Sequence, residues 1–103
     1  MKNCYIIKLS PHKIAIADLC DYYGKGLLLT RINVPKEFRN RKFGTELLGA
    51  ILTDSDKFKV TLFLEISPSD GLDYNQLETW YIKHGFKHWN GIFRRRPKCS
   101  RPH

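Results

Sequence analysis

The chain has 103 residues, of which 42% are hydrophobic and 13% aromatic, enough to build the core of one folded domain rather than a disordered segment. Eighteen basic against ten acidic residues give a net charge of +8, yet five of those cations (Arg94, Arg95, Arg96, Lys98, Arg101) fall in the last ten residues, which hold no acid, so residues 1–93 carry only +3. No run approaches the roughly 20 apolar residues of a membrane span, and the apolar stretch within Met1–Lys8 is too short for a signal peptide. Three scattered cysteines (Cys4, Cys20, Cys99) without metal-ligand spacing suit reduced thiols in a cytoplasmic protein.

Taken in order, Tyr5–Leu9 and Lys13–Leu19 read as short strands joined by a turn at Ser10-Pro11-His12. The second alternates with period two, as a half-buried antiparallel strand does. A turn around Asp21 to Gly26 leads into a longer strand over Leu27–Val34, which Pro35 ends because it has no backbone donor. Leu47, Leu48, Ile51 and Leu52 form an apolar stripe that predicts a helix over Gly44–Asp54. Val60–Ile66 is apolar nearly throughout and reads as a central strand, with turn chemistry at Ser67-Pro68-Ser69-Asp70-Gly71 after it. A second helix is expected over Asp73–Lys83, with Asp73 as N-cap and Gly85 as C-cap. Two short strands around Asn90-Gly91, a favoured hairpin pair, complete the fold.

The order β-β-β-α-β-α-β-β predicts an α/β (α+β) domain with a mixed sheet and two helices. The crossover through the first helix sets Leu27–Val34 parallel to Val60–Ile66. Residues 1–97 are read as this single domain and 98–103 as a basic flexible tail.

The most informative stretch is Arg39-Asn40-Arg41-Lys42-Phe43-Gly44-Thr45, between the third strand and the first helix. A strand, a turn dense in cations and N–H donors, and a helix N-terminus together suit a pyrophosphate, because the first-turn amides and the positive end of the helix dipole both face the anion. Downstream stands Trp80-Tyr81-Ile82-Lys83-His84-Gly85-Phe86. These two blocks, in this order, resemble the signature blocks of the GNAT superfamily of acyl-CoA-dependent N-acetyltransferases. Arg39 to Gly44 is similar to the family's Arg/Gln-x-x-Gly-x-Gly/Ala loop around the pyrophosphate of coenzyme A, and Val34-Pro35 to the end of the strand that pairs with the pantetheine arm. Lys42 replaces the first loop glycine. Lysine enters a left-handed backbone less readily than glycine, so a differently shaped loop is expected, with the ammonium facing a phosphate.

The resemblance implies that the two parallel strands splay apart and that acetyl-CoA lies in the notch. Ile32, Asn33 and Val34 would offer backbone groups to pantetheine, with the Val34 N–H polarising the thioester carbonyl. Arg39, Asn40, Arg41, Lys42, Phe43, Gly44 and Thr45 would hold the pyrophosphate, and Asn75 would contact the cofactor or else cap its helix. Tyr81 corresponds to the family's general acid, and a phenol with a pKa near 10 stays protonated at neutral pH; the alternative is a tyrosine packed on the core. Tyr74 is the second choice. Glu65 is the candidate general base, as the one charge in Val60–Ile66, where burial would raise its pKa; the alternative is a solvent-facing glutamate or one paired with Arg31. Asp70 and Asp73 would attract a cationic acceptor beside the notch; the alternative is a pair of solvated loop carboxylates. His84 and His88 lack a further ligand at metal spacing, so no metal is expected.

The family's usual helices between the first strands have no room here, which leaves an open acceptor groove. That favours a macromolecular amine, a protein lysine or N-terminus, over an enclosed small molecule. In brevity the chain is similar to stripped-down family members of phages and mobile elements, including anti-CRISPR acetyltransferases. A different class of reading is a catalytically inactive GNAT-like module whose basic tail docks nucleic acid or a protein partner. A monomer or homodimer is expected, with no membrane partner.

Overall fold

A computed structural model describes residues 1–39, 41–67 and 72–98. Strands β1 (Cys4–Ser10), β2 (Lys13–Asp21) and β3 (Leu27–Asn33) form an antiparallel meander. A 3-10 turn (Lys36–Phe38) then leads to α1 (Phe43–Phe58), β4 (Leu62–Leu64), α2 (Tyr74–Lys83), β5 (Lys87–Trp89) and β6 (Ile92–Arg95). The strands make one sheet in the order β1-β2-β3-β4-β6-β5, in which β3–β4 is the parallel pair. This is the mixed, mostly antiparallel sheet with two helices that the element order predicts.

Both helices cover the same sheet face. Ala15, Ala17 and Leu19 alternate along β2 onto that face, where they meet Leu47, Leu48 and Ile51 of α1. Leu62, Leu64 and Phe93 continue the layer, and Trp80, Tyr81 and Phe86 extend it beneath α2. Burying such side chains stabilises by about 1.5–3 kcal/mol each. On the opposite face Ile6 and Ile14 are exposed, and no described helix lies over it.

Helix α1 continues four residues past the expected Asp54, because Ser55 is also buried and its hydroxyl donates to the Val60 carbonyl at 2.6 Å. Strand β4 is shorter than the expected Val60–Ile66. Its parallel pairing covers only Leu27–Leu29 against Leu62–Leu64. Gly26 makes that start possible: a Cβ there would sit 2.1 Å from the Thr61 carbonyl oxygen, which accepts the Leu27 N–H at 3.0 Å. Beyond Leu29 the two chains separate, and β3 runs on to Asn33 paired with β2 alone. The splay is this early end of pairing.

The basic C-terminal stretch is not all tail. Arg95 is buried, 4% exposed, and its guanidinium meets both carboxylate oxygens of Asp56 at 2.9 and 3.2 Å while Nε donates to the His84 carbonyl. Arg94 lies over the Trp89 ring. Period two along β6 puts Arg95 on the Phe93 face, and the pairing ties the end of α1 to the end of α2. Residues 99–103, Cys99 included, lie outside the described residues; Cys4 and Cys20 are exposed free thiols.

Candidate active site

A cleft of about 730 Å³ opens where β3 and β4 part. Arg31, Ile32 and Val34 form one wall and Leu64, Glu65, Ile66 and Ser67 the other. Phe38, Arg39 and the start of α1 (Lys42 to Thr45) close one end; Leu72, Gln76, Leu77, Trp80 and Tyr81 close the other.

The loop end is built with backbone strain. Lys42 stands at the N-cap of α1 with φ +64 and ψ +18, the left-handed conformation that glycine prefers. The lysine thus takes up a left-handed backbone despite its side chain. The Lys42 side chain makes no cap hydrogen bond to α1, and Lys42 to Thr45 line the cleft. Gly44 lies against Val34, whose Cγ2 is 4.0 Å from where a Cβ would be. Arg39 donates from Nε to the Val34 carbonyl at 3.1 Å. Arg41 does not line the cleft: its guanidinium rests over the Phe38 ring, 5.7 Å from the centroid. Glu46 is the acidic residue of the first turn.

The other end is built by a helix terminus. The Phe86 N–H bonds to the Tyr81 carbonyl at 3.1 Å and the Gly85 N–H to the Ile82 carbonyl at 3.0 Å, a Schellman closure with Gly85 at φ +96. Phe86, fully buried, packs edge-on to the Tyr81 ring at 5.6 Å, and Trp80 does so at 4.9 Å. The aromatic-Tyr-x-x-x-Gly-Phe spacing is therefore also the spacing of a helix end. Burial pushes the Tyr81 phenol up to about 12, so its proton is retained at neutral pH. His84 Nδ1 lies 2.7 Å from the Trp80 carbonyl, and His88 lies 3.2 Å from Glu78. Among the described residues no group of three His, Cys, Asp or Glu is placed to hold a metal ion.

No protein-family model matches the sequence, and no curated protein is similar at a significant level. Two solved structures share the architecture. An acetyltransferase of the GNAT family from Staphylococcus aureus Mu50 superposes with a TM-score of 0.63 at 17% identity, over 82% of this chain and 60% of its own. The fold is GNAT-like. The anti-CRISPR protein AcrVA5 superposes with a TM-score of 0.59 at 11% identity, over 90% of this chain and 98% of its own. This chain thus spans well under two thirds of the staphylococcal enzyme's length.

Against a GNAT-like frame, the cleft brings together Ile32, Val34, Arg39, Lys42, Phe43, Gly44, Thr45, Glu65 and Tyr81 from both sequence blocks. Asn33, Arg41, Tyr74 and Asn75 are exposed and do not line it, and Asn40 and Asp70 lie outside the described residues. Asn75 does not cap α2 either; Asp73 and Gln76 do, through a reciprocal pair of hydrogen bonds at 2.8 and 2.9 Å. Glu65 is exposed, one residue past the end of β4, so the burial expected for it is absent. Arg31 pairs with Asp18 (2.5 Å), not Glu65. Sequence reasoning missed Phe38, Leu72, Gln76 and Leu77 as cleft residues. For Gln76 the signal was present, since Asp-x-x-Gln is a capping box at the start of α2.

Proposed function

We propose that this chain is an acetyl-CoA-dependent N-acetyltransferase acting on an amine of a macromolecule, a protein lysine or N-terminus, by direct attack in a ternary complex. The observation that carries the reading is the shared cleft: Tyr81, Glu65 and the start of α1 line one opening between the parted strands. The donor's residues fit there on chemical grounds. The first-turn amides of α1 and the Lys42 ammonium suit a pyrophosphate, and the stretch of β3 that β4 leaves unpaired on the cleft side suits an extended pantetheine arm.

When bound, acetyl-CoA would supply an activated acetyl group and a thiolate leaving group. Tyr81 holds a proton at its phenol oxygen and hands it to that sulfur. Burial holds the phenol up to about 12, so it is fully protonated at neutral pH and has a proton to give as the carbon–sulfur bond breaks. Glu65, exposed at the cleft mouth, takes the proton of the incoming amine directly or through water. The short β1–β2 and β2–β3 connections carry no helix over the groove, which leaves it accessible to a macromolecular acceptor.

Isothermal titration with acetyl-CoA, desulfo-CoA and ADP, on wild type and Lys42→Ala, tests the reading. Micromolar acetyl-CoA binding that the substitution weakens supports it. No binding at millimolar acetyl-CoA overturns it and leaves the non-enzymatic module, although one of the five cations in the last ten residues, Arg95, is buried against Asp56.

A further inference from the structure

On the sheet face away from the helices, four aromatic rings form a continuous row. Tyr23 stands edge-on to Tyr22 (4.9 Å), Tyr22 stacks on Phe63 (4.4 Å), and Phe63 tilts onto Trp89 (5.3 Å). Lys25 and Arg94 lie over the Trp89 ring at 5.7 and 4.9 Å. Lys87 sits directly across from Arg94, which in turn sits across from Phe63, so these side chains share one face.

Most of the row is packing, since Phe63 is buried and Tyr22 and Trp89 are half-buried. Tyr23 is different. It is 83% exposed, and its backbone is strained. Tyr23 (φ +54) and Gly24 (φ +72) are the central pair of a turn closed by the Lys25 N–H to the Tyr22 carbonyl at 2.8 Å. Two positive φ values in such a turn favour Asn-Gly, and a bulky aromatic at the first is disfavoured. Neither burial nor turn geometry accounts for a tyrosine there. The Asp21 carboxylate accepts the Gly24 N–H at 2.9 Å.

We propose that this corner binds single-stranded nucleic acid, with a base stacked on Tyr23 and backbone phosphates on Lys25, Lys87 and Arg94. An exposed planar ring at one end of the row, with Lys25 and Arg94 over the ring at the other end and Lys87 across from Arg94, matches what a single strand presents, unpaired base faces alternating with phosphates. An acidic peptide would satisfy the cations but has no use for the ring. The patch is separate from the cleft and stands independently of acetyl transfer.

The test is fluorescence anisotropy of the full chain with a labelled 15-nucleotide oligo-dT, at 50 and 200 mM salt, with poly-glutamate as the comparison polyanion. Oligo-dT is expected to bind in the micromolar range. With three phosphate contacts, affinity should fall about 20-fold across that salt step. Tyr23→Phe should bind like wild type, Tyr23→Ala about 5-fold or more weakly, and Lys25→Glu/Lys87→Glu about 10-fold or more weakly. Tyr23→Gly should raise the urea midpoint by relieving the turn while weakening binding, a split that a purely structural tyrosine would not show. Binding that is unchanged in Tyr23→Ala and in the double substitution, poly-glutamate binding as tight as oligo-dT, or no salt-dependent binding would each overturn the proposal.

Discussion

At the start of α2, Asp73 and Gln76 satisfy one another's backbone donors in a complete capping box, whereas α1 starts at a left-handed lysine whose side chain caps nothing. A missing cap and a non-glycine left-handed residue each disfavour a helix by about 1 kcal/mol. Helix α1 tolerates both because it is 16 residues long and buries Leu47, Leu48, Ile51 and Ser55, while the 10-residue α2 buries no residue fully and relies on its two ends. Of the two helix starts, the strained one lies at the cleft, the pattern of strain expected at a ligand site.

The largest effect should come from the opposite ends of the two helices. Removing the buried guanidinium in Arg95→Met leaves Asp56 with only the Lys98 N–H, strips the His84 carbonyl of its donor, and should lower stability by about 3 kcal/mol in urea unfolding. If the loss is under 1 kcal/mol, α2 is not held by this pair. Next, Tyr81→Phe keeps the ring contacts with Trp80 and Phe86 but removes the proton. A kcat reduced about 100-fold at unchanged acetyl-CoA affinity would support the general acid, and an unchanged kcat would remove it.

Smaller, and more pointed, is the pair at the two helix starts. Asp73→Ala should lower stability by about 1 kcal/mol without touching acetyl-CoA affinity. Lys42→Gly should do the reverse, raising stability by roughly 0.5–1 kcal/mol as the left-handed strain is relieved and weakening acetyl-CoA binding as a cation is lost. The same sign for both substitutions in calorimetry would break the comparison.

The smallest effects are in pH. Arg95 holds the Asp56 carboxyl below the usual carboxylate range. A folded value below the unfolded one stabilises the protein above an unfolded pKa of about 4 and loses that contribution as pH falls through the lower folded value. Urea midpoints should therefore drop below pH 4, and less steeply in Arg95→Met. At the alkaline end, Tyr81 is raised to about 12 from an ordinary value near 10, so its contribution is present below pH 10 and is lost between about 10 and 12. Ultraviolet titration of wild type against Tyr81→Phe reads that window directly.

Much of the fold was legible along the chain. Alternation placed β2, the Leu47-Leu48-Ile51-Leu52 stripe placed α1, and Asp73 and Gly85 marked both ends of α2, because each signal lies within one or two turns of the residues it governs. The site was legible in part: both sequence blocks reach one cleft, and Tyr81 and Lys42 line it. Glu65 was read as a buried base or as a solvent-facing glutamate, and it is exposed, since pairing in β4 stops at Leu64, where β3 diverges. Arg41 and Asn75 were carried over by motif position, but Phe38 draws the first aside and the cap pair Asp73–Gln76 leaves the second no role at the helix start.

Residue order alone was enough for the elements, their succession and the helix ends, since these rest on local backbone preference and periodicity. What required the folded molecule were the meetings of distant residues. Arg95 finds Asp56 39 positions away and Tyr5 finds Asp54 49 positions away, while β3 leaves β4 after three paired residues. Such meetings depend on how the helices pack across the sheet and which polar groups must be satisfied once buried, and no local pattern encodes that competition.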